Sequence, residues 1–451
     1  MKILLVGNGG REHAIAEALK RSDKNPLLYV FAKAVNPGIR DLSTDYHMVD
    51  DLSDGEALEA YAKEVKPDFA FVGPDNPIGD GMVDILEAMG IGCVAPRKAP
   101  AQLESSKYYT RELLEKNFIP GNPRFRQFTS EDGVMSFLQE LGEDYVVKGD
   151  GLAGGKGVKV SGDHLRSHED AMKFVRECLS GSHSSVVIEE KFVGVEFSLM
   201  AFADGEHLAF MPVVQDHKRA YEGDEGPNTG GMGTYSNVNH GMPFLKDQEI
   251  EQAKQISLAV LAAVREDTGQ AFKGILYGGF IACRDGVKLI EYNARFGDPE
   301  ALNVLPLLET DFVDVCRAVI NGTLDEIDMK FKEQATVCLY VVPDGYPEDS
   351  TKGEKLVIGE MPDGVVCYYS SVDVQSSNDQ GSNHNDQEET VITTGSRSLG
   401  IVGIGETIEK ARQKALAGVK QVKGKIFYRT DIGSVELVQK RIDMMNELRN
   451  H

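Results

Sequence analysis

Over the first hundred residues, short apolar runs and helical patterns take turns, and that alternation leaves few folds open. The runs are Ile3–Gly7, Leu27–Phe31 and Asp68–Gly73; helical patterns begin near Arg11 and cover Asp54 to Val65 and Gly79 to Met89. Strands that repeatedly give way to helices predict a parallel sheet covered by helices. Ser105 to Phe118 then reads as a helix leading to Pro120, and from Tyr145 the texture changes to strands lying close together in sequence. These are expected at Tyr145–Lys148, Val158–Val160, Val186–Phe192, Val195–Ala203 and His207–Val214, with one helix near Arg166–Leu179.

Gln215 to Pro243 reads as glycine-rich and irregular. A long helix from Asp247 to Asp267, strands at Gly274–Cys283 and Val287–Tyr292, and helices after Asp298 are expected beyond it. Past about Ile327 come strands at Ala335–Val342 and Leu399–Ile404 and a helix from Thr407 to Val419. Between them, 375–390 contains no apolar residue at all and is expected to be a disordered insertion. At about 150 residues per domain, 451 residues suggest roughly three domains. The six cysteines form no metal-ligand spacing, no run approaches the roughly 20 apolar residues of a membrane span, and the N-terminus reaches glycine too early for a signal-peptide core. A cytoplasmic protein is therefore expected. The net charge of −23 argues against nucleic acid and anionic membranes as partners. Anionic small molecules would need a local nest of glycine amides, cations and metal.

Two glycine loops are candidates for that nest. Gly7, Gly9 and Gly10 follow the first strand and open the first helix, where amides and the helix dipole favour a phosphate. A dinucleotide fingerprint fails, because Glu12 stands where its third glycine belongs and no ribose-binding acid ends the second strand. A smaller phosphate ligand and a plain tight turn both remain open. The second loop, Lys148 to Gly157, is not a Walker A sequence, since Gly157 follows Lys156 where Ser or Thr is required. It joins two strands and carries lysine at each side, which suits a flap laid over nucleotide phosphates. The kinase loops that would accompany such a flap in a protein kinase do not occur.

Leu289 to Arg295 places Glu291 and Asn293 two apart on a strand, hence on one face, with Arg295 on the same side if the strand continues. A carboxylate and a neutral oxygen suit a divalent ion between phosphates, and an arginine suits another anion. Lysine-ended strand, glycine flap, the Glu189-Glu190 strand and E-x-N, in that order, resemble the ATP-grasp superfamily. The segments Gly7 to Ala14, Phe71 to Pro74, Gln215 to Ala220, Gly226 to Gly233 and Arg295 to Glu300 narrow the resemblance to the glycinamide ribonucleotide synthetase family over nearly the whole chain.

That resemblance implies a mixed α/β and α+β multidomain fold. Its parts are a doubly wound parallel-sheet domain (1–104) for the substrate phosphate, an ATP-grasp domain (105–326) with a flap subdomain at about 120–190, and a C-terminal α/β domain (327–451). It implies ATP-dependent ligation of glycine to 5-phosphoribosylamine through glycyl phosphate, with Mg²⁺ or Mn²⁺ at Glu291 and Asn293. Another ATP-grasp carboxylate–amine ligase and a catalytically silent nucleotide-binding scaffold are the alternatives. By the same resemblance Lys107 and Lys148 reach ATP phosphates, and Gly151, Gly154, Gly155 and Lys156 belong to the covering flap. Glu189, Lys191 and Phe192 form an adenine hinge, and Glu196 takes the ribose. Gly9, Gly10, Asn36, Pro37 and Gly38 receive the sugar or its phosphate. Asp75, Asp216, His217, Lys218, Arg295 and Asp298 line the acceptor and glycine side, with Arg295, Lys148, Asp216 and His217 catalytic. His217 is expected to hydrogen-bond more than to act as an acid or base. A monomer working on small molecules is implied. Leu302, Asp75 and Gly149 depart from the usual family residues, and Gly279 stands where many ATP-grasp enzymes carry a second metal carboxylate.

Overall fold

A computed structural model describes residues 1–152, 157–181, 183–374 and 389–450. The opening alternation folds as a parallel sheet of β1 (Lys2–Val6), β2 (Leu27–Ala32), β3 (Asp45–Met48), β4 (Phe69–Val72) and β5 (Gly92–Val94), ordered β3-β2-β1-β4-β5. The central strands β1 and β4 are buried almost throughout, as a sheet covered on both faces requires. β3 escapes the apolar pattern because it is an edge strand of Asp, Tyr, His and Met, none of them buried. The helix expected over 79–89 is two helices, Asp75–Asp80 and Met82–Ala88, broken at Gly81 with φ +94°.

A second, antiparallel sheet of β6 (Phe125–Phe128), β7 (Tyr145–Gly149), β8 (Val158–Val160) and β9 (Val186–Glu190) is ordered β6-β9-β7-β8. With helices Val134–Leu141 and His168–Ser180 it closes over its own core, including Phe137, Val147, Val175 and Ile188, separate from the main one. This is the flap unit. β9 ends at Glu190, so Lys191 and Phe192 lie on the connection to the next strand and not on the strand expected for them.

The largest sheet draws its strands from residues 195–427. After β10 (Val195–Asp204) and β11 (Leu208–Phe210) come β12 (Val214–Asp216), β13 (Arg219–Tyr221), β14 (Glu225–Asn228) and β15 (Gly233–Ser236). The stretch 215–243, expected to be irregular, thus holds short strands whose glycines hide the pattern. β16 (Lys273–Cys283) and β17 (Gly286–Asn293) follow helix Asp247–Thr268. Then come β18 (Ala335–Pro343), β19 (Lys355–Ile358), β20 (Val365–Tyr369), β21 (Val372–Val374), β22 (Glu389–Thr393), β23 (Leu399–Gly405), β24 (Val422–Lys423) and β25 (Ile426–Phe427). The main path is β17-β16-β10-β12-β15-β18-β23-β20, so the sheet runs unbroken across residue 327, while β21, β22, β19 and β24 form a small sheet of their own. Of the expected insertion, 375–388 lies outside the described residues. Glu389 and Thr390 instead open β22, paired with Ile358 and Val357. Among the described residues no helix is long and apolar enough to cross a membrane.

Candidate active site

Sheet register builds the cavity. Ser198 on β10 pairs with Gly279 on β16, and Gly279 pairs with Glu291 on β17, so the three share one face. Glu196 lies two residues before Ser198, and Asp216 two beyond Val214, the β12 partner of Ser198. Glu196, Ser198, Asp216, Lys218, Tyr277, Gly279 and Glu291 accordingly line one cavity. Asn293, paired with Tyr277, joins the same face, and Tyr292 turns to the core, where its hydroxyl meets Ser257 Oγ at 3.2 Å.

The Glu291 carboxylate makes no hydrogen bond or ion pair among the described residues. Burial alone would raise its carboxyl, but Lys218, Lys148, Lys107 and Arg295 together hold it below the usual range. An ionised carboxylate without a partner, facing a cavity ringed by cations, fits a divalent ion shared with phosphates. Lys218 Nζ lies 3.3 Å from Glu196 Oε2, and that carboxylate, ahead of the opposing effect of burial, raises the ammonium well above its ordinary value.

Behind this surface sits a buried triad. Arg111, from helix Lys107–Lys116, grips Glu189 through two bonds, Nε to Oε1 at 2.7 Å and Nη2 to Oε2 at 2.9 Å. Lys148 Nζ lies 2.7 Å from Glu189 Oε2. Burial would raise the Glu189 carboxyl, but Arg111 and Lys148 outweigh it and hold it at about 2. Arg111 and Lys148 also donate to Ile290 O at 2.6 and 3.1 Å, fastening the flap to the strand residue before Glu291. The Glu189 carboxylate is therefore a sequestered counter-ion. Arg111 went unassigned in the sequence, although it lies one helical turn from Lys107 and so on the same face.

Lys107 Nζ donates to Gly151 O at 2.7 Å, and the Lys107 amide to Asp150 Oδ1 at 2.7 Å, so the helix start and the flap base are joined. Gly154, Gly155 and Lys156 lie outside the described residues. Lys191 Nζ donates to Ser161 O at 2.9 Å, and Phe192, half-buried, follows it. Arg295 stands just past the end of β17 yet reaches back to Asn293 Oδ1 at 3.2 Å. Its main partner is Glu104 Oε1 at 2.8 Å, while Glu104 Oε2 accepts from the Ala294 amide at 2.8 Å. No sequence signal marks Glu104. Asp75 starts a helix close enough to add to the field on Arg295.

Asp216 and His217 part company. Asp216 faces the cavity with Oδ1 buried and unpartnered, and burial, then Glu300, push its carboxyl up to about 8. Strand alternation turns His217 the other way, toward Tyr235 and the Asp224–Arg429 ion pair. Both its ring nitrogens are buried without a partner, and burial lowers it to about 4. His217 therefore does not line the cavity shared by Asp216 and Lys218.

At the first glycine loop the Gly9 amide donates to Glu12 Oε2 at 2.7 Å, and Glu12, only 2% exposed, fills the crevice beside Gly73. A phosphate on that amide would meet a carboxylate, so Gly9 does not offer its N–H; Gly10, the first residue of the helix, follows it. Asn36 caps helix Pro37–Leu42 through Ile39 N and donates to Asn8 O at 3.1 Å and Tyr369 O at 2.7 Å. Pro37 is buried, and Gly38 is pressed against the His13 ring. Asn36 thereby ties the loop to β20. Asp298 Oδ1 accepts from Tyr340 and faces Arg397 at 3.5 Å; neither C-terminal residue was marked by a motif.

Comparison with known proteins agrees with this layout. Family models described as the N, ATP-grasp (A) and C domains of phosphoribosylglycinamide synthetase match residues 1–104, 105–301 and 336–435. A phosphoribosylamine–glycine ligase of Methanosarcina acetivorans is 46% identical over 449 residues, covering 100% of this chain and 98% of that one. One from Methanocaldococcus jannaschii is 44% identical over 458 residues, covering both chains completely, at 100% each. The crystal structure of the Thermotoga maritima phosphoribosylamine–glycine ligase superposes with a TM-score of 0.78 at 26% identity, over 96% of this chain and 100% of that one. A Campylobacter jejuni biotin carboxylase shares the fold alone, with a TM-score of 0.72 at 13% identity over 100% of this chain and 98% of that one. A buried lysine beside a flap, a lone carboxylate in a cationic cavity and full-length kinship converge: the chain belongs to the phosphoribosylglycinamide synthetase family and is an ATP-grasp ligase.

Proposed function

We propose that the cavity around Glu291 carries out the phosphoribosylamine–glycine ligase reaction. The γ-phosphoryl group of ATP passes to an oxygen of the glycine carboxylate, leaving ADP and glycyl phosphate. The amine of 5-phosphoribosylamine then bonds to the acyl carbon and phosphate leaves, giving glycinamide ribonucleotide. No side-chain nucleophile is required, so the work is positioning and charge neutralisation. The observation that carries this reading is Glu291, an unpartnered carboxylate held ionised by Lys218, Lys148, Lys107 and Arg295.

Lys107 and Lys148 meet the phosphates of ATP, with Gly151 and Gly157 beside them. Lys191 and Phe192 flank the adenine, and Glu196, on the cavity rim, meets the ribose. Glu291 and Asn293 hold Mg²⁺ or Mn²⁺, which when bound neutralises phosphate oxygens. Asp216, Lys218 and Arg295 surround glycine, and Gly10, Asp75 and Asp298 meet the acceptor. Residues 1–104 serve the acceptor, 105–326 the nucleotide and 327–451 the closing wall, in a cytoplasmic monomer. Support comes from the full-length relatives and from the cations gathered in a chain of net charge −23.

The test is ADP release with ATP, metal and glycine, with and without freshly made phosphoribosylamine. Release should depend on both substrates, and Glu291→Ala should lower it at least about a thousandfold, the scale of losing a group that stabilises transferring phosphoryl charge, with its unfolding temperature little changed. Turnover with another amino acid but not glycine would refute the specificity, and near-normal activity of Glu291→Ala would refute the metal assignment.

A further inference from the structure

The acceptor side is closed by residues that no motif marks. Asp298 Oδ2 makes no hydrogen bond among the described residues and faces the first glycine loop, 4.0 Å from where a Cβ on Gly9 would stand. Its other oxygen is held from the C-terminal part of the chain. The hydroxyl of Tyr340, fully buried on β18, donates to Asp298 Oδ1 and lies 2.7 Å from a Cβ position on Gly10. The Arg397 guanidinium, on the loop between β22 and β23, stacks 4.5 Å from the centroid of the Tyr340 ring. Arg397 Nη1 donates to Asp298 O at 2.8 Å and to Gly230 O at 2.7 Å, and Nη2 faces Asp298 Oδ1 at 3.5 Å. One arginine thus fixes both the backbone and the side chain of Asp298, while Tyr340 fixes its oxygen and walls the glycine loop. Burial would raise the Asp298 carboxyl, but Arg397 and the Tyr340 bond outweigh it and keep it ionised.

We infer that Tyr340 and Arg397 are positioning residues for the amine substrate: they aim the free oxygen of Asp298 at the sugar amine or its hydroxyls, so that the C-terminal part of the chain sets the affinity for the acceptor. This rests on the reaction proposed above. The side-chain hydrogen bond and ion pair that the two make go to Asp298, the residue placed above with the acceptor. Neither Tyr340 nor Arg397 bonds to Lys148 or Glu291, the residues placed above with the nucleotide and its metal.

The experiment measures apparent KM for phosphoribosylamine, glycine and ATP, with kcat, in the wild type, Tyr340→Phe, Arg397→Lys and Arg397→Met. Tyr340→Phe deletes one oxygen atom and leaves the ring under Arg397. The expected result is a rise of about tenfold or more in KM for phosphoribosylamine, with KM for ATP and glycine within about twofold. Arg397→Lys should fall between wild type and Arg397→Met, because an ammonium replaces only part of the guanidinium fork. A parallel rise in all three KM values, or a fall in kcat with KM for phosphoribosylamine unchanged, would overturn the inference and leave the pair structural. A Tyr340→Phe enzyme identical to wild type would overturn it too. Failure of the underlying reaction looks different, since the wild type itself would then show no turnover that depends on phosphoribosylamine.

Discussion

Arg111, Glu189 and Lys148 bring three charges into a region with almost no exposed surface, their side chains 2%, 4% and 6% accessible. Such a group holds only if every member stays paired, because the desolvation of each ion is offset by the others. Arg111→Met should therefore lower stability by about 3 kcal/mol or more, leaving Glu189 half-compensated, Leu289 O without its side-chain donor and Ile290 O with Lys148 alone. A shift in the denaturation midpoint worth less than about 1 kcal/mol would sink this account of the triad. Lys148 and Glu189 could be singled out in sequence because each lies in a strand of recognisable pattern. Arg111 could not, since one arginine in a charged helix resembles any solvated side chain until the fold brings β9 against it. Glu104 and Arg397 were hidden for the same reason.

Helix Lys107–Lys116, which carries Lys107 and Arg111 to the site, ends in a conformation its sequence resists. The Ile119 amide bonds to Leu114 O at 2.9 Å and the Phe118 amide to Glu115 O at 3.1 Å, a Schellman ending in which Phe118 takes the position usually held by glycine. Phe118 has φ +53° and is 93% exposed, so it meets the left-handed strain without burying its ring. Phe118→Gly should raise stability by roughly 0.5–1 kcal/mol, the relief of strain exceeding glycine's added chain entropy. Unchanged or lowered thermal stability would show that the ring makes a contact worth keeping. At this scale much was legible. The long elements β10, β16, β17 and helix Asp247–Thr268 stand close to their expected bounds, because length and continuous apolar character overdetermine them. Short strands such as β13 and β14 are held by neighbours and leave little trace in local pattern.

Across the whole molecule, the N-terminal domain and the C-terminal strands are locked together at the first helix. His13 Nδ1 accepts from the Tyr369 amide at 2.9 Å, so the ring must be neutral there, and burial lowers it to about 3 from an ordinary 6.5. Its Nε2 lies 3.7 Å from Glu17 Oε1, a contact that does not offset burial. Because the folded value is the lower one, the unfolded chain binds more protons between the two, and stability falls as pH drops from about 6.5 toward 3, by at most about 1.4 kcal/mol per pH unit. His13→Gln, which keeps an acceptor and cannot titrate, should show a shallower loss from pH 7 to pH 5 in urea unfolding. Equal slopes for both proteins would refute the linkage.

Sequence by itself determined the parallel N-terminal sheet, the flap loop, the strand that presents Glu291 and Asn293, and the family, because each depends on local periodicity or on a contiguous motif. Tertiary structure decided which charges face the cavity. His217 turned away by strand alternation, the Gly9 amide met Glu12, and Asn36 was absorbed by the junction with β20. It also decided that β15 and β18, about a hundred residues apart, join one sheet, which places Tyr340 beside Gly10. Pairing between distant strands depends on register and burial summed over the whole chain, and no local stretch encodes that sum.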